Sequence, residues 1–486
     1  MDPLAGSDLV PAERLDPFVI IYSQPIDGGR MVVSAILKRF MEQSPIPVMA
    51  RSLLERVLTP AKLNNWFDKV AKRQYTRDLL FSSILELMSL VVMKSFPSVN
   101  AAYQSEKANI GVSIASVYNK LNCLEEKVLA TLVRDTSQEL SEFIGEMDGA
   151  CAPLLPGYRV KMLDGNCLAS TQRRLTVLRN KSAGPLPGKS LVIYDPSLEM
   201  AIDMIPCEDG HAQERSLLPQ VLERVKAKDV FGMDRNFCVR SFLFSIEAKG
   251  AYFVVRHHKQ MPYKELSELK EIGETETGSV FEQWIEVSDE EGRVSTWRAI
   301  TIELKKETRD GDKSIVILTN LPQPAGDAIA IAQIYRKRWR IETMFQELEA
   351  HLRSEIDTLG YPGAALFGFC IALIAYNVFA VVKAAMRHVH GEEKIRNEVS
   401  GYYIAGEISR THVGMHVAIE SQEWGVFQAL TVKAFADVLV QLANNINLDK
   451  YKKHKRGPKK KQPPRISDKN EPHVSTARLL KAKKSP

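Results

Sequence analysis

The stretch YRVKMLDGN, residues 158–166, marks the point where the apolar pattern of this chain changes from helical to strand-like. Further apolar runs of strand length follow at Leu191–Tyr194, Met200–Ile205, Val230–Met233 and Tyr252–Arg256. Between these runs, residues 214–227 and 240–249 have the apolar spacing of helices. Because strands alternate with helices, we predict an α/β domain with a mixed sheet over residues 155–355.

The segments within, before and after this α/β region that lack its alternation of strands and helices have other patterns. Residues 257–325 are β-rich with charged turns, which predicts an all-β insertion within the α/β domain. Asp327 is then expected to cap a long helix that runs from Ala328 to about Leu352. Residues 38–150 and 360–448 are mostly helical in pattern, whereas residues 1–37 carry little signal.

Two short helices, Ser98–Lys107 and Ser113–Leu121, are predicted on either side of a turn that contains Gly111. This pair has the length and the central glycine of a helix-turn-helix, whose second helix enters the major groove of DNA. A small helical hairpin without a DNA partner has the same pattern. Both interpretations remain open from the sequence.

The charge of the chain is unevenly distributed. The net charge is +6, but residues 450–486 contain 14 Lys and Arg against 2 Asp and Glu, so the rest of the chain is mildly acidic. A basic tail of this kind, here residues 449–486, is typical of proteins that bind nucleic acid. A solvated tail with no specific role has the same composition.

The cysteines and the apolar runs of the sequence indicate the cellular compartment in which the protein is expected. Six cysteines are scattered without a C-x-x-C pair, and the N-terminus has no pattern of a signal peptide, so we expect a reducing, cytoplasmic location. The uncharged run Gly363–Val382 is long enough to span a membrane. Because Asn377 interrupts it and no second such run exists, we predict a buried helix of a soluble domain.

Two aspartates follow the predicted strands. Asp164 follows Tyr158–Leu163, and Asp234 follows Val230–Met233. An aspartate in this position is often only a turn former. Two carboxylates at the same edge of one sheet can also hold divalent cations, which prefer oxygen ligands.

The long predicted helix offers a third carboxylate. At about 100° per residue, Tyr335, Arg338 and Glu342 lie on one narrow stripe of this helix. The stripe is compatible with a functional face that bears Glu342. It is equally compatible with an exposed helix held by the i,i+4 pair of Arg338 and Glu342.

Together these residues resemble a known family. The string YRKRWRIE (335–342) is similar to the Y-x2-R-x3-E signature of bacterial insertion-sequence DDE transposases, the cut-and-paste group. Further similarity lies in LDGN (163–166), MDRNF (233–237), the intervening segment 191–218, the arginines Arg174 and Arg179, and QYTRDLLF (74–81). The resemblance covers most of residues 40–480.

The resemblance implies an RNase H-like core with a catalytic triad of Asp164, Asp234 and Glu342. In this family the triad holds two Mg²⁺ ions, for which Mn²⁺ can substitute. Tyr335 and Arg338 match residues that contact DNA phosphates near the transposon end. The implied partners are double-stranded transposon ends and target DNA, and the implied assembly is a homodimer on DNA.

This sequence departs from the family pattern at one position. The family signature ends with a Lys seven residues after the Glu, where this chain has Glu349. Arg353, one turn further on the same predicted stripe, is expected to supply the missing positive charge at DNA. Arg256, at the end of its predicted strand, is a further candidate for DNA contact.

We therefore predict a DNA transposase that binds inverted-repeat ends, hydrolyses phosphodiesters in a metal-dependent reaction and transfers strands. The helices of residues 38–150 are expected to bind the DNA ends. Two alternatives remain: a transposase-derived DNA-binding regulator that does not cut, and an RNase H-like nuclease without strand transfer.

Overall fold

A computed structural model describes residues 33–74, 78–169, 174–181, 183–308, 311–454 and 473–484. Most of the predicted low-signal segment 1–37 lies outside these ranges, as do residues 75–77 of the string QYTRDLLF and residues 455–472 of the basic tail.

The described N-terminal region is helical, as predicted. It contains α1 (Ala35–Gln43), α2 (Pro45–Val57), α3 (Pro60–Val70), α4 (Phe81–Val92), α5 (Val99–Glu106), α6 (Ile114–Asn122) and α7 (Glu126–Glu146). The hydroxyls of Ser98 and Ser113 accept hydrogen bonds from backbone N–H groups in the first turns of α5 and α6. These caps fix the starts of the two helices of the predicted helix-turn-helix.

The middle of the chain forms the predicted mixed sheet. Its strands are β1 (Arg159–Leu168), β2 (Gly184–Leu186), β3 (Gly188–Asp195), β4 (Met200–Cys207), β5 (Asp229–Met233), β6 (Tyr252–Arg256), β7 (Lys264–Glu265), β8 (Lys270–Glu274), β9 (Gly278–Ser288), β10 (Val294–Leu304) and β11 (Ser314–Thr319). Among the described residues, ten of these pair in the order β4-β3-β1-β5-β6-β11-β10-β9-β7, with β8 on β9. Strands β1, β5 and β6 are parallel, β3 pairs antiparallel with β1, and β4 pairs antiparallel with β3, so that only β3 of these five strands runs in the opposite direction. The predicted α/β, RNase H-like fold class is confirmed.

The β-rich segment 257–325 continues this sheet. Strand β11 pairs antiparallel with β6, and β10 and β9 follow it. The segment is therefore an extension of the central sheet, whereas the sequence predicted an insertion without indicating its pairing. The predicted helix 214–227 is shorter than expected: a 3₁₀ turn, Glu214–Leu217, leads into α8 (Leu218–Leu222), and α9 spans Arg240–Ala248.

A series of helices follows β11 along the chain. They are α10 (Ala328–Lys337), α11 (Trp339–His351), α12 (Pro362–His390), α13 (Glu392–Glu398), α14 (Gly401–Ala418), α15 (Gly425–Gln428) and α16 (Val432–Asn444). Of the helices described, α12 is long and apolar enough to cross a membrane, but 94% of its most apolar window is buried within the protein. The burial predicted for this run is observed, because α12 packs against α4, α7, α16 and β4.

Asn377 explains why α12 contains a polar residue in its most apolar part. Its side chain is fully buried, its Oδ1 accepts from the backbone N of Ala201 (2.9 Å), and its Nδ2 donates to the backbone O of Ala201 (2.8 Å). Ala201 lies on β4, the edge strand, beside an irregularity in its pairing with β3. The amide thus takes the place of a neighbouring strand and satisfies backbone groups that burial would otherwise leave unpaired.

We predict that Asn377→Leu lowers the free energy of unfolding by roughly 2–4 kcal/mol, because it leaves two buried backbone groups of Ala201 unsatisfied. Urea denaturation measures this change. The control Asn444→Leu, at an exposed position of α16, is expected to stay within about 0.5 kcal/mol of the wild type. Equal effects of the two changes would contradict the role of the amide.

The end of the chain is docked on the α/β domain. Strand β12 (His473–Ser475) pairs in parallel with β2, and α17 (Thr476–Lys484) packs against the 3₁₀ turn Thr176–Leu178. Val474 is buried with Leu178 and Ala183, and Arg478 Nε donates to Asp209 Oδ2 at 2.8 Å. This part of the predicted basic tail is therefore a packed structural element.

We predict that Val474→Asp releases this C-terminal segment and exposes the chain around residues 174–181. A loss of ~1–2 kcal/mol of docking free energy raises the open fraction about 5–30-fold. Trypsin cleavage after Arg174, Arg179 or Lys181, followed by mass spectrometry, measures the change. The control Lys483→Asp replaces an exposed residue of α17; cleavage that rises equally in both variants would contradict docking by Val474.

Candidate active site

Asp164 and Asp234 lie side by side where two parallel strands separate. The pairing of β1 with β5 ends at Leu163 and Met233, so the two aspartates follow at the same level of the sheet. Adjacent strands are about 4.8 Å apart. The sequence placed Asp164 after its strand, which is wrong: β1 continues to Leu168, because β3 remains paired with it there.

Glu342 reaches this point from α11. Asp327 caps α10 as predicted, with its Oδ1 accepting from Ala330 N at 2.7 Å. The predicted continuous helix is interrupted at Arg338, which lies between α10 and α11. The backbone makes tighter i to i+3 hydrogen bonds on both sides of this residue, Arg338 N to Tyr335 O and Ile341 N to Arg338 O.

The Arg338 side chain joins the helix junction to the sheet. Its Nη1 donates to Asp164 Oδ2 at 2.9 Å, and its Nη2 donates to Glu342 Oε1 at 2.7 Å. The guanidinium carbon lies 6.0 Å from the ring centroid of Tyr335 and 5.1 Å from that of Trp339. The predicted shared face of Tyr335, Arg338 and Glu342 is thus present in spite of the interruption.

The surroundings of Asp164 disfavour the charged form of its carboxyl group. Burial raises the pKa of this carboxyl to about 7, and the charges of Asp234 and Glu342 add to the rise, although Arg338 and the Gly165 N–H oppose it. A buried carboxylate beside other acids is stabilised by any nearby cation. Arg338 supplies that positive charge here.

A fourth carboxylate, Glu214, lies beside the two aspartates. Asp234 Oδ1 accepts from Asn236 N at 2.8 Å, and Asn236 Nδ2 donates to Glu214 Oε2 at 2.6 Å. The Glu214 carboxylate also lies against the Cα of Gly165, where a side chain would meet it. Sequence reasoning missed Glu214 as a site residue, although it lies in the segment 191–218 that carries the resemblance.

The donors present suit a hard divalent cation, since carboxylate oxygens are the ligands of Mg²⁺ and Mn²⁺. Within the described ranges, no three His, Cys, Asp or Glu side chains lie close enough to hold a metal ion. Asp164 and Glu342 instead share the guanidinium of Arg338, which is itself a cation. The chemistry fits, but an ion bound by both carboxylates requires Arg338 to move.

Two residues predicted to contact DNA are engaged elsewhere. Helix α11 ends at His351, so the predicted position of Arg353 on its stripe is wrong. Arg353 instead donates through Nη1 to Phe96 O at 2.8 Å. Arg256 Nη2 donates to Asp312 Oδ2 at 2.6 Å, and the Arg256 side chain is 20% exposed. Glu349 is exposed on α11.

Trp339 is a further residue beside the site that sequence reasoning missed. It directly follows Arg338 in the string YRKRWRIE, and 58% of its surface is exposed. An indole that is exposed beside a basic residue is suited to contact a nucleic acid base or sugar.

Comparison with known proteins finds similarity to transposases in the part of the chain that contains the site. Residues 188–378 match the family described as "Transposase DDE domain". The match covers about two fifths of the chain, so this part of the protein is similar to the DDE domain of transposases. This match includes Asp234, Arg338 and Glu342 and begins after Asp164. The chain is also 24% identical over 208 residues to the protein y4zB of Sinorhizobium fredii (strain NBRC 101917 / NGR234), which is named as a transposase.

This second similarity is partial. It covers 41% of this chain and 55% of the relative, so the chain spans about half the length of the protein that it matches. The similarity therefore concerns the DDE domain of residues 188–378, and the activity and partners of the whole protein are a matter for proposal.

Proposed function

We propose that this protein is a cut-and-paste DNA transposase of an insertion sequence. The observation that carries the proposal is the meeting of Asp164, Asp234 and the Arg338–Glu342 pair where β1 and β5 separate, in a chain whose residues 188–378 match the DDE domain of transposases. The reaction would begin with hydrolysis of a phosphodiester at each element end, which releases a 3′-OH. That hydroxyl would then attack target DNA.

In this proposal Asp164, Asp234 and Glu342 would hold two Mg²⁺ ions, or Mn²⁺ in their place. The bound ions would activate the attacking oxygen and stabilise the leaving one. Asp164 and Asp234 are fixed to the sheet, whereas Glu342 approaches on a helix whose position depends on Arg338. The protein's own contribution is to orient the acids and the scissile phosphate.

DNA binding is assigned to three regions. Helices α5 and α6 would bind the inverted-repeat ends, with α6 in the major groove. Tyr335, Arg338 and the exposed Trp339 would contact the cleaved end, because arginine pairs well with phosphate. The basic tail would add affinity that does not depend on sequence. Since both ends must be cut together, we propose a homodimer on DNA, in the cytoplasm and at the nucleoid.

We predict that Asp164→Asn, Asp234→Asn and Glu342→Gln, made one at a time, each lower Mg²⁺-dependent cleavage of end DNA by about 10³-fold or more. The reason is the loss of several kcal/mol of transition-state stabilisation. A gel assay with labelled end duplex measures cleavage, and fluorescence anisotropy measures end binding, which should change little.

The control for this series is Asp437→Asn, an exposed acid of α16, which is expected to cleave as the wild type does. Retained cleavage in any triad variant would remove that residue from the proposed site. Cleavage without joining of a pre-cut 3′-OH end would favour the nuclease alternative. End binding without any cleavage by the wild type would favour the regulator.

We predict that replacing Lys455, Arg456, Lys459, Lys460 and Lys461 with Gln flattens the salt dependence of DNA binding. For every phosphate that the variant no longer neutralises, the slope of log affinity against log salt becomes shallower by about 0.9. Anisotropy titrations between about 50 and 200 mM salt measure the slope. These changes leave the sequences of β12 and α17 intact, so an unchanged slope would contradict a DNA role of this part of the tail.

A further inference from the structure

The Arg338 side chain is buried in the candidate site, where it forms ion pairs with two carboxylates in the absence of DNA. Its side chain is 7% exposed, and two of its nitrogens are used by Asp164 and Glu342. Its buried Nε has no hydrogen-bond partner among the described residues. An unsatisfied buried donor is costly and indicates a group that completes its bonds with another ligand.

Arg338 contacts one carboxylate oxygen of Asp164 and one of Glu342, which are two of the three proposed metal ligands. A Mg²⁺ ion binds oxygen at about 2.0–2.1 Å. An ion on Asp164 Oδ2 would face a guanidinium nitrogen that lies 2.9 Å from the same oxygen. Because both groups are positively charged, the ion and Arg338 compete for Asp164 and Glu342.

A DNA phosphate can bind Arg338 in place of the two carboxylates and so end its competition with the ion. Arginine forms bidentate, charge-assisted hydrogen bonds with phosphate, which replace its bonds to carboxylates. The helix junction that bears Arg338 also bears the exposed Trp339, so a duplex can approach this point from solvent. Movement of Arg338 to a phosphate would satisfy its Nε and free both carboxylates.

We propose that Arg338 is a latch that makes divalent-ion binding depend on DNA. Without DNA, Arg338 holds Asp164 and Glu342 in ion pairs and keeps ions out; a phosphate of bound DNA draws Arg338 away and opens the ion site. The proposal rests on the proposed function, whose site it regulates. It also requires reciprocity: a bound ion must raise the affinity for DNA by the factor by which DNA raises the affinity for the ion.

The test measures Mn²⁺ binding to the full chain without DNA, by electron paramagnetic resonance of the free ion. If Arg338 leaves the ion site open in a tenth of the molecules or fewer, the apparent Mn²⁺ affinity of the wild type is reduced by the same factor. Arg338→Gln is then expected to bind Mn²⁺ at least about tenfold more tightly than the wild type. The double variant Asp164→Asn/Arg338→Gln should lose this gain, since the ion would bind at Asp164.

The matched control is Arg336→Gln, two residues earlier on α10. Arg336 pairs with Glu276, and 47% of its side chain is exposed, so its removal should leave Mn²⁺ affinity unchanged. Thermal unfolding without metal checks that each variant is folded. If Arg338→Gln does not fold, Arg338→Lys is used: a lysine lacks the two separate nitrogens with which Arg338 binds Asp164 and Glu342, so its hold on the carboxylates is weaker and Mn²⁺ affinity should again rise.

Equal Mn²⁺ affinity of the wild type and the Arg338 variant, or tighter binding by the wild type, would overturn the latch. Neither result touches the proposed function, which depends on cleavage of end DNA. Conversely, tighter ion binding by the variant supports the latch even if the wild type cleaves no DNA, in which case only the proposed function fails.

Discussion

The ion pairs of Arg338 with Asp164 and Glu342 connect two parts of the fold that are distant in sequence. Asp164 belongs to a strand in the middle of the sheet, and Glu342 belongs to a helix that follows the β-rich extension. Both carboxylates meet one guanidinium that is almost fully buried. The relative placement of sheet and helix at the site depends on this contact, because it compensates charges that burial would otherwise make costly.

Local signals in the sequence were sufficient to predict most of the helices and strands. The apolar runs predicted the strands, the end of β6 at Arg256 was predicted as observed, and Asp327 was recognised as a helix cap. These features depend on neighbouring residues alone, which is why a pattern can reveal them. The family resemblance added the order of the motifs and the identity of the three acids.

Features that depend on tertiary contacts were not predictable in this way. A periodic pattern cannot show that the helix tightens at Arg338, or that the side chain of this residue reaches Asp164 on another element. It cannot show that α11 stops before Arg353, whose guanidinium binds the segment after α4. The length of β1 beyond Asp164 likewise depends on β3, and the partner of Asn377 lies on β4.

The pairing of β12 with β2 has a consequence for biosynthesis. Almost 290 residues separate β2 (Gly184–Leu186) from β12 (His473–Ser475), so the two strands can meet only after the polypeptide through residue 475 has left the ribosome. Contacts between such remote segments close large loops and form slowly. The surface around β2 is therefore completed only after β12 has been synthesised, and a chain that stops before residue 473 would lack it.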